Sequence, residues 1–410
     1  MTGPAYLPQE HPVLARRARL AVAGAFAVQG LGFAGVLTHL PAFKDSWGLD
    51  DLGVTVLMFA VAVLAGVGSA LAAVVAARTS SATGLRCALL VAAVGLTTLG
   101  TAPVFWVFCL GLGIYGIALG LIDATTNMQA VALEAEYGQS ILTSFHAAWS
   151  VGGIAGALAT AGAAALDWPV SAVLLPVAVL AVVVSFAPFR RATTTVGASS
   201  VADNTTDSVE RTIPWKALGL LGVALVLFYV ADSAASSWSS IYLSDVLLAS
   251  ATVAPLAYGA YQATSLASRA VGDLAVRRYG PTTVVRSAAL VGVVGLSLVI
   301  VARTPWLAIL GFAVLGAGVA VVAPLTFAAA GRLAGPDPGR MRRIDALVAR
   351  LNQFNYLGFV LGGVLTGLIS SGSGLRWGFV VPLVGIALLL PLAGAFATGS
   401  RTREPTEAAL

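Results

Sequence analysis

Apolar residues in this chain neither alternate nor keep to one helical face. They come in long uninterrupted runs, with the charges confined to short stretches between them. A run of about 20 apolar residues, rising 1.5 Å per residue, matches the hydrocarbon thickness of a bilayer and predicts a spanning helix. Twelve such runs are read here, at 20–40, 52–76, 85–101, 104–130, 141–166, 170–186, 217–243, 253–275, 284–302, 306–330, 344–369 and 377–397. The longest polar interruption, 190–211, is rich in Ser, Thr and Ala and reads as a flexible linker. It divides the runs six and six. The predicted organisation is a first six-helix half over 1–189, a linker over 190–213, a second six-helix half over 214–400 and a polar tail over 401–410. The expected fold is all-α and integral to the membrane, with twelve transmembrane helices.

Composition supports that reading. With 58% hydrophobic and 10% charged residues and a mean hydropathy of +0.91, the chain has too little polar surface to cover a water-facing globule. Its net charge of +5 is spread over short basic clusters between apolar runs, so it speaks for membrane topology and against a nucleic-acid partner. If both termini are cytoplasmic, the outer loops hold only Lys44, Arg303 and Arg376 of the 23 basic residues, as the positive-inside rule requires. Trp47, Trp106, Trp168, Trp306 and Trp377 then fall at the outer boundary, where indoles favour the headgroup layer. The basic start at Arg16, Arg17 and Arg19 before an apolar run imitates a signal peptide; many spans follow, and it reads as an uncleaved first helix.

Cys87 and Cys109 lie on separate predicted helices and give neither a disulfide framework nor a metal-ligand spacing. No metal or cofactor is expected. Gly111, Gly113 and Gly116 formally fit a dinucleotide fingerprint, but inside a span, without a preceding strand, the match means nothing. Glycine pairs four apart, Gly116 with Gly120, Gly152 with Gly156 and Gly358 with Gly362, predict close helix crossings. No H-E-x-x-H, G-x-S-x-G or phosphate-binding loop is present, so an enzyme is not expected.

Polar residues inside the spans carry the functional signal, because an ionisable side chain at a helix centre costs at least about 2.5 kcal/mol. Asp123, Asn127 and Glu134 share one stripe of the fourth span, with Asp123 in its inner half and Glu134 at the interface. His146, near the start of the fifth span, suits either proton exchange or helix packing. Asp232, with Ser236 and Ser239 on its face of the seventh span, suits either proton or solute binding, or a helix-to-helix hydrogen bond. Gln29, Asn127, Trp149, Trp238, Gln262 and Asn355, joined by Tyr115, Gln129, Tyr261, Asn352 and Tyr356, are groups able to stack on and hydrogen-bond a solute.

Two sets of short motifs point to a family. The loop after the eighth span runs Ser268, Arg269, Gly272, Asp273, Arg277, Arg278, Gly280 and resembles the second-half signature loop of the major facilitator superfamily, in which Arg269, Asp273, Arg277 and Arg278 form a gating latch. The first-half copy, from Gly68 to Gly84, lacks its Asp. Pro41 to Lys44, Asp123 to Asn127, His146 to Gly153, and Asp232 with Trp238 to Leu243 are similar to the bacterial fucose permease-like branch and its uncharacterised inner-membrane relatives. There the position of Asp123 is a proton-linked carboxylate, and a second carboxylate stands where this chain has Leu37, a departure from that branch. The resemblance implies a multi-pass protein of the bacterial cytoplasmic membrane moving a small solute by alternating access, with protons as coupling ion through Asp123; His146 and Asp232 join it as proton-coupling candidates by their place in the spans, and a monomer is expected. Sugar-like uptake is the favoured expectation, with proton-driven efflux, or a sensor or scaffold that no longer transports, as the alternatives.

Overall fold

The structure, a computed structural model, describes residues 12–137, 141–189, 214–333 and 340–397. The predicted linker at 190–213, His11 and the tail at 401–410 lie outside the described residues, as do the side chains of Glu134, Asp273 and Asn352.

All twelve apolar runs are helical. The elements are α1 (Pro12–Thr38), a short α2 (Leu40–Trp47), α3 (Asp51–Arg78), α4 (Ser81–Gly100), α5 (Phe105–Tyr137), α6 (Leu142–Ala165) and α7 (Ser171–Ser185). After the linker come α8 (Trp215–Ile241) with a π-helical turn (Tyr242–Val246), α9 (Leu256–Tyr279), α10 (Pro281–Val301), α11 (Pro305–Val319), α12 (Val322–Leu333), α13 (Arg340–Ser373), a single turn α14 (Leu375–Gly378) and α15 (Val380–Leu392), which ends in a 3-10 turn (Ala393–Ala397). Among the described residues there is no strand.

Ten of these segments are long and apolar enough to cross a membrane by length and composition. Two predicted spans fall outside that number for different reasons. α7 is apolar but has only 15 residues. α9 has 24, but Gln262, Thr264, Ser265 and Arg269 lower its hydropathy. The span predicted at 306–330 is broken in two, α11 and α12, at Ala320 and Val321.

Helix ends follow local chemistry. Ser80 and Thr304 cap α4 and α11 by accepting the amides of Thr83 and Leu307. Gly48, at φ 60, closes α2 in the left-handed region. Gly280, at φ 77, makes the corner between α9 and α10, with Pro281 at the first turn of α10.

The described residues form two compact units. The first lies within Met1–Val36, Val63–Gly156 and Trp168–Thr195. Its helices meet through glycine. A Cβ at Gly68 would strike the Ile117 carbonyl and one at Gly120 the Ala65 carbonyl, so α3 and α5 cross backbone to backbone. Gly30 against the Trp149 carbonyl and Gly152 against the Ala27 carbonyl do the same for α1 and α6. Apolar burial gives helices in lipid little drive to associate, so close backbone approach supplies the contact. The second unit lies within Leu37–Ala62, Ala157–Asp167 and Val196–Leu410. In it Gly358 and Gly362 of α13 fit against Val226 and Val230 of α8.

Large apolar side chains remain exposed along whole helices. Val56, Phe59, Val63, Val67, Leu71 and Val74 do so on α3, and Leu290, Val294 and Val301 on α10. In water such stripes would be a liability; against acyl chains they cost nothing. The protein is a multi-pass membrane protein.

Candidate functional site

Among the described residues, each unit carries a half-buried carboxylate well inside an apolar helix. In the first unit it is Asp123, one turn beyond the Gly120 crossing that fixes α5 against α3. The i, i+4 spacing read from the sequence appears as contact: Asn127 Nδ2 donates to the Asp123 carbonyl at 2.8 Å and approaches Asp123 Oδ1 at 3.5 Å. Thr125 and Thr126 turn their hydroxyls onto the carbonyls of Leu121 and Ile122, both at 2.7 Å, satisfying themselves within the helix. Gln129 reaches across to α4, its Nε2 donating to Ser81 Oγ at 2.7 Å.

The predicted residues of α1 and α6 gather at the Gly30 and Gly152 crossing of the same unit. Trp149 sits half-buried, its ring 5.8 Å from that of Phe33. Gln29 is buried, and its Oε1 has no hydrogen-bond partner among the described residues. A buried amide oxygen without a donor is costly, and a solute or water hydroxyl is the kind of group that would satisfy it. His146 is exposed, its ring edge-on to Phe26 at 5.3 Å, beside its chain neighbour Phe145, which stacks on Phe26 at 5.8 Å.

In the second unit Asp232 sits on α8. Ser236, expected on the same polar face, donates to the Asp232 backbone carbonyl at 2.8 Å, the ordinary fate of serine inside a helix. The carboxylate takes its hydrogen bond from another helix: Tyr261 Oη on α9 donates to Asp232 Oδ1 at 2.5 Å. One residue on, Gln262 Nε2 donates to Tyr258 Oη at 2.8 Å. Trp238 is wholly buried, with Nε1 donating to the Gly363 carbonyl at 2.9 Å, which ties α8 to α13. Asn355 is half-buried on α13.

The four residues of the signature loop separate. Arg277 and Arg278 are exposed in the last turn of α9, with the Arg278 guanidinium 5.4 Å from the centre of the Tyr279 ring. Arg269 lies two turns earlier, half-buried, with Nε donating to the Ala320 carbonyl at 3.4 Å. Asp273 is on α9 between them.

A further polar cluster was not anticipated from the sequence. Lys44 Nζ of α2 donates to Asp51 Oδ1, in the first turn of α3, at 2.6 Å and is also bonded to Asp245 in the π-helical turn after α8. Ser370, near the end of α13, donates to the other Asp51 oxygen. All four residues belong to the second unit, where Thr55 of α3 also fits against Gly367 and Trp238. Burial by itself lowers the Lys44 pKa; its bonds to Asp245 and Asp51 outweigh that and leave it raised above the ordinary lysine value. Three charges scattered over 200 positions give no local pattern, so only the fold brings them together.

Among the described residues no group of His, Cys, Asp and Glu could hold a metal ion. Comparison with known proteins places these features in a family. The sequence model of the Major Facilitator Superfamily matches residues 22–344. An uncharacterized transporter, y4wD, of Sinorhizobium fredii is 27% identical over 91% of this chain and 96% of its own length. The crystal structure of a nucleoside transporter, NupG, superimposes with a TM-score of 0.70 at 15% identity, covering 92% of this chain and 98% of that one. That of the E. coli fucose:proton symporter, FucP, gives 0.60 at 14% identity, with coverage of 92% and 98%. At such identities the structures speak for the fold.

Proposed function

Because the chain belongs to the major facilitator superfamily, a family of transporters and not of enzymes, we propose that it moves a small polar solute across the bacterial cytoplasmic membrane by alternating access, driven by protons. The observation that carries the reading is Asp123. It is a carboxylate in an apolar helix, half-buried, with the neutral amide of Asn127 on its own helix beside it. Such a group can take up a proton where the surroundings are dry and release it where they are wet, at a cost that no purely structural residue would repay. Asp232 is a second carboxylate for the cycle, and Gln29, Asn127, Trp149 and Gln262 offer amides and an indole to hydroxylated solute. Fold likeness to a nucleoside transporter and a fucose:proton symporter favours uptake of a sugar-like or nucleoside-like molecule.

The Lys44 cluster fits the same cycle. It lies on the side that the charge pattern assigns to the outside, and it joins α2 and α3 to two elements of the second half of the sequence. We read it as a lock that keeps the outer ends together in one state of the cycle and opens in the other.

The test begins with a thermal-shift panel of sugars and nucleosides on the purified protein, followed by uptake of the hit into proteoliposomes under an imposed pH gradient. Asp123→Asn is expected to keep the thermal shift and to lose uphill accumulation. Uphill uptake at the wild-type rate in that variant overturns the proton role. Solute loss from preloaded vesicles driven by the same gradient reverses the direction, and binding without counterflow identifies a sensor.

A further inference from the structure

Among the described residues two non-glycines have a positive φ, Asp167 and Leu248, both at 52. A short acidic side chain can bond its own backbone and visits that region readily. A leucine cannot, and as a bulky residue it is an outlier there. Where α2 ends in the same region the chain places a glycine, Gly48. Nor does packing explain Leu248, because its side chain is 84% exposed. A strained residue of this kind persists when neighbouring structure holds it, and such residues gather at parts that switch.

What holds Leu248 is the π-helical turn before it. There the Leu247 amide donates to the Tyr242 carbonyl at 3.3 Å, and the Ala249 amide, just past Leu248, donates back to the Leu243 carbonyl at 2.8 Å. Two side chains clamp this turn. At its start the buried Tyr242 donates through Oη to the Val299 carbonyl, at the end of α10, at 2.7 Å, with its ring edge-on to Phe379 at 5.2 Å. Arg376 reinforces that clamp: its guanidinium lies 5.9 Å from the centre of the Tyr242 ring and donates to the Ile300 and Ala302 carbonyls at 2.7 and 2.6 Å. Three residues on, Asp245 is bonded to Lys44. All these residues belong to the second unit. The Tyr242 clamp is buried, whereas the Lys44 clamp is a partly exposed ion pair and the easier of the two to part.

We propose that the left-handed Leu248 is a backbone spring that favours opening of this end of the protein, with the Lys44 and Asp245 pair holding against it. While the pair is made, the turn stays π-helical and Leu248 stays left-handed. When the pair parts, the turn returns to α-helical bonding and Leu248 relaxes to a negative φ, so the strain present in the locked state is absent from the open one. A leucine at the place where glycine would end the helix without strain thus sets how readily the lock opens.

The inference rests on the reading of Lys44 as part of a lock that opens, and the two fail separately. Thr55, buried one turn beyond Asp51, is replaced by Cys in the full chain with Cys87→Ser and Cys109→Ser. Its labelling by a membrane-impermeant maleimide is timed in lipid nanodiscs with no solute present. Leu248→Gly removes the strain and is expected to slow labelling roughly tenfold, the factor that corresponds to the cost of one left-handed leucine. Leu248→Ala trims the same exposed side chain but keeps a Cβ, and should label within about twofold of its parent. Leu248→Asn, better suited to the left-handed region, should fall between the two. Labelling of Leu248→Gly at the parent rate overturns the spring. Slowing as large in Leu248→Ala as in Leu248→Gly also overturns it, because the side chain and not the backbone would then be responsible. Slowing in Leu248→Gly beside unchanged labelling in Lys44→Gln sinks the lock and leaves the spring acting against the Tyr242 clamp alone.

Discussion

Replacing Lys44 by Gln leaves the Asp51 and Asp245 carboxylates near one another with no ammonium between them. The side chains of Lys44, Asp51 and Asp245 are 15%, 19% and 29% exposed. Breaking a fully buried pair by removing one partner costs about 3–5 kcal/mol, whereas an exposed pair is worth about 0–1 kcal/mol. Partial exposure lies between the two, so the lock should weaken by about 2 kcal/mol, roughly a thirtyfold change in how often it opens. A cysteine at Thr55, which is 3% exposed against Gly367 and Trp238, reports the opening in a background with Cys87 and Cys109 replaced by Ser. A membrane-impermeant maleimide should label it at least about tenfold faster in Lys44→Gln. Adding Asp245→Asn should recover part of the difference, because it removes one of the two repelling charges. The sign of the pH dependence follows from the raised Lys44 pKa: its contribution is complete below the ordinary value of 10.5 and is lost only as pH climbs through the higher folded value. The effect of Lys44→Gln should therefore be as large at about pH 9 as at about pH 6. Equal labelling in wild type and variant refutes the lock.

Tyr261→Phe removes the hydroxyl that donates to Asp232 and is expected to lower stability by about 1–3 kcal/mol while reducing transport; unchanged uptake would show that the phenol is dispensable. Gly120→Val drives side-chain atoms into the Ala65 carbonyl and should cost about 1–3 kcal/mol or more, read as a lower melting temperature in detergent. Gly66→Ala, at a glycine with open space around it, should change that temperature little. Trp238→Phe leaves the Gly363 carbonyl without its indole donor and is expected to lose about 1–3 kcal/mol of stability, measured by the same melt, with solute affinity following only if the indole also touches solute.

The helices were legible because a bilayer imposes a coarse rule, long apolar runs, that needs no knowledge of partners. Asp123 and Asn127 were legible because four residues make one helical turn, and the Gly358 and Gly362 crossing because spacing alone brings small residues to one face. The break at Ala320 was not, since α11 and α12 read as one apolar run and Pro324 falls in the first turn of the second piece, where proline is tolerated. Nor was the use of Ser236: its spacing from Asp232 is right, but an interior serine finds the nearer backbone carbonyl first. Tyr261 stood out only as one aromatic among several, because a hydrogen bond between α8 and α9 leaves no trace in either helix's own pattern. Arg269 resembled a loop residue by its motif, while two turns of helix carry it well away from Arg277 and Arg278.

The chain has just two lysines, Lys44 and Lys216. Lys216 is exposed at the start of α8, whereas the amine of Lys44 is engaged by two carboxylates. Acylation by an amine-directed reagent should accordingly mark Lys216 at once and Lys44 only in molecules whose lock has parted. The unaltered protein thus carries its own chemical clock for opening at that end, calibrated by the second lysine.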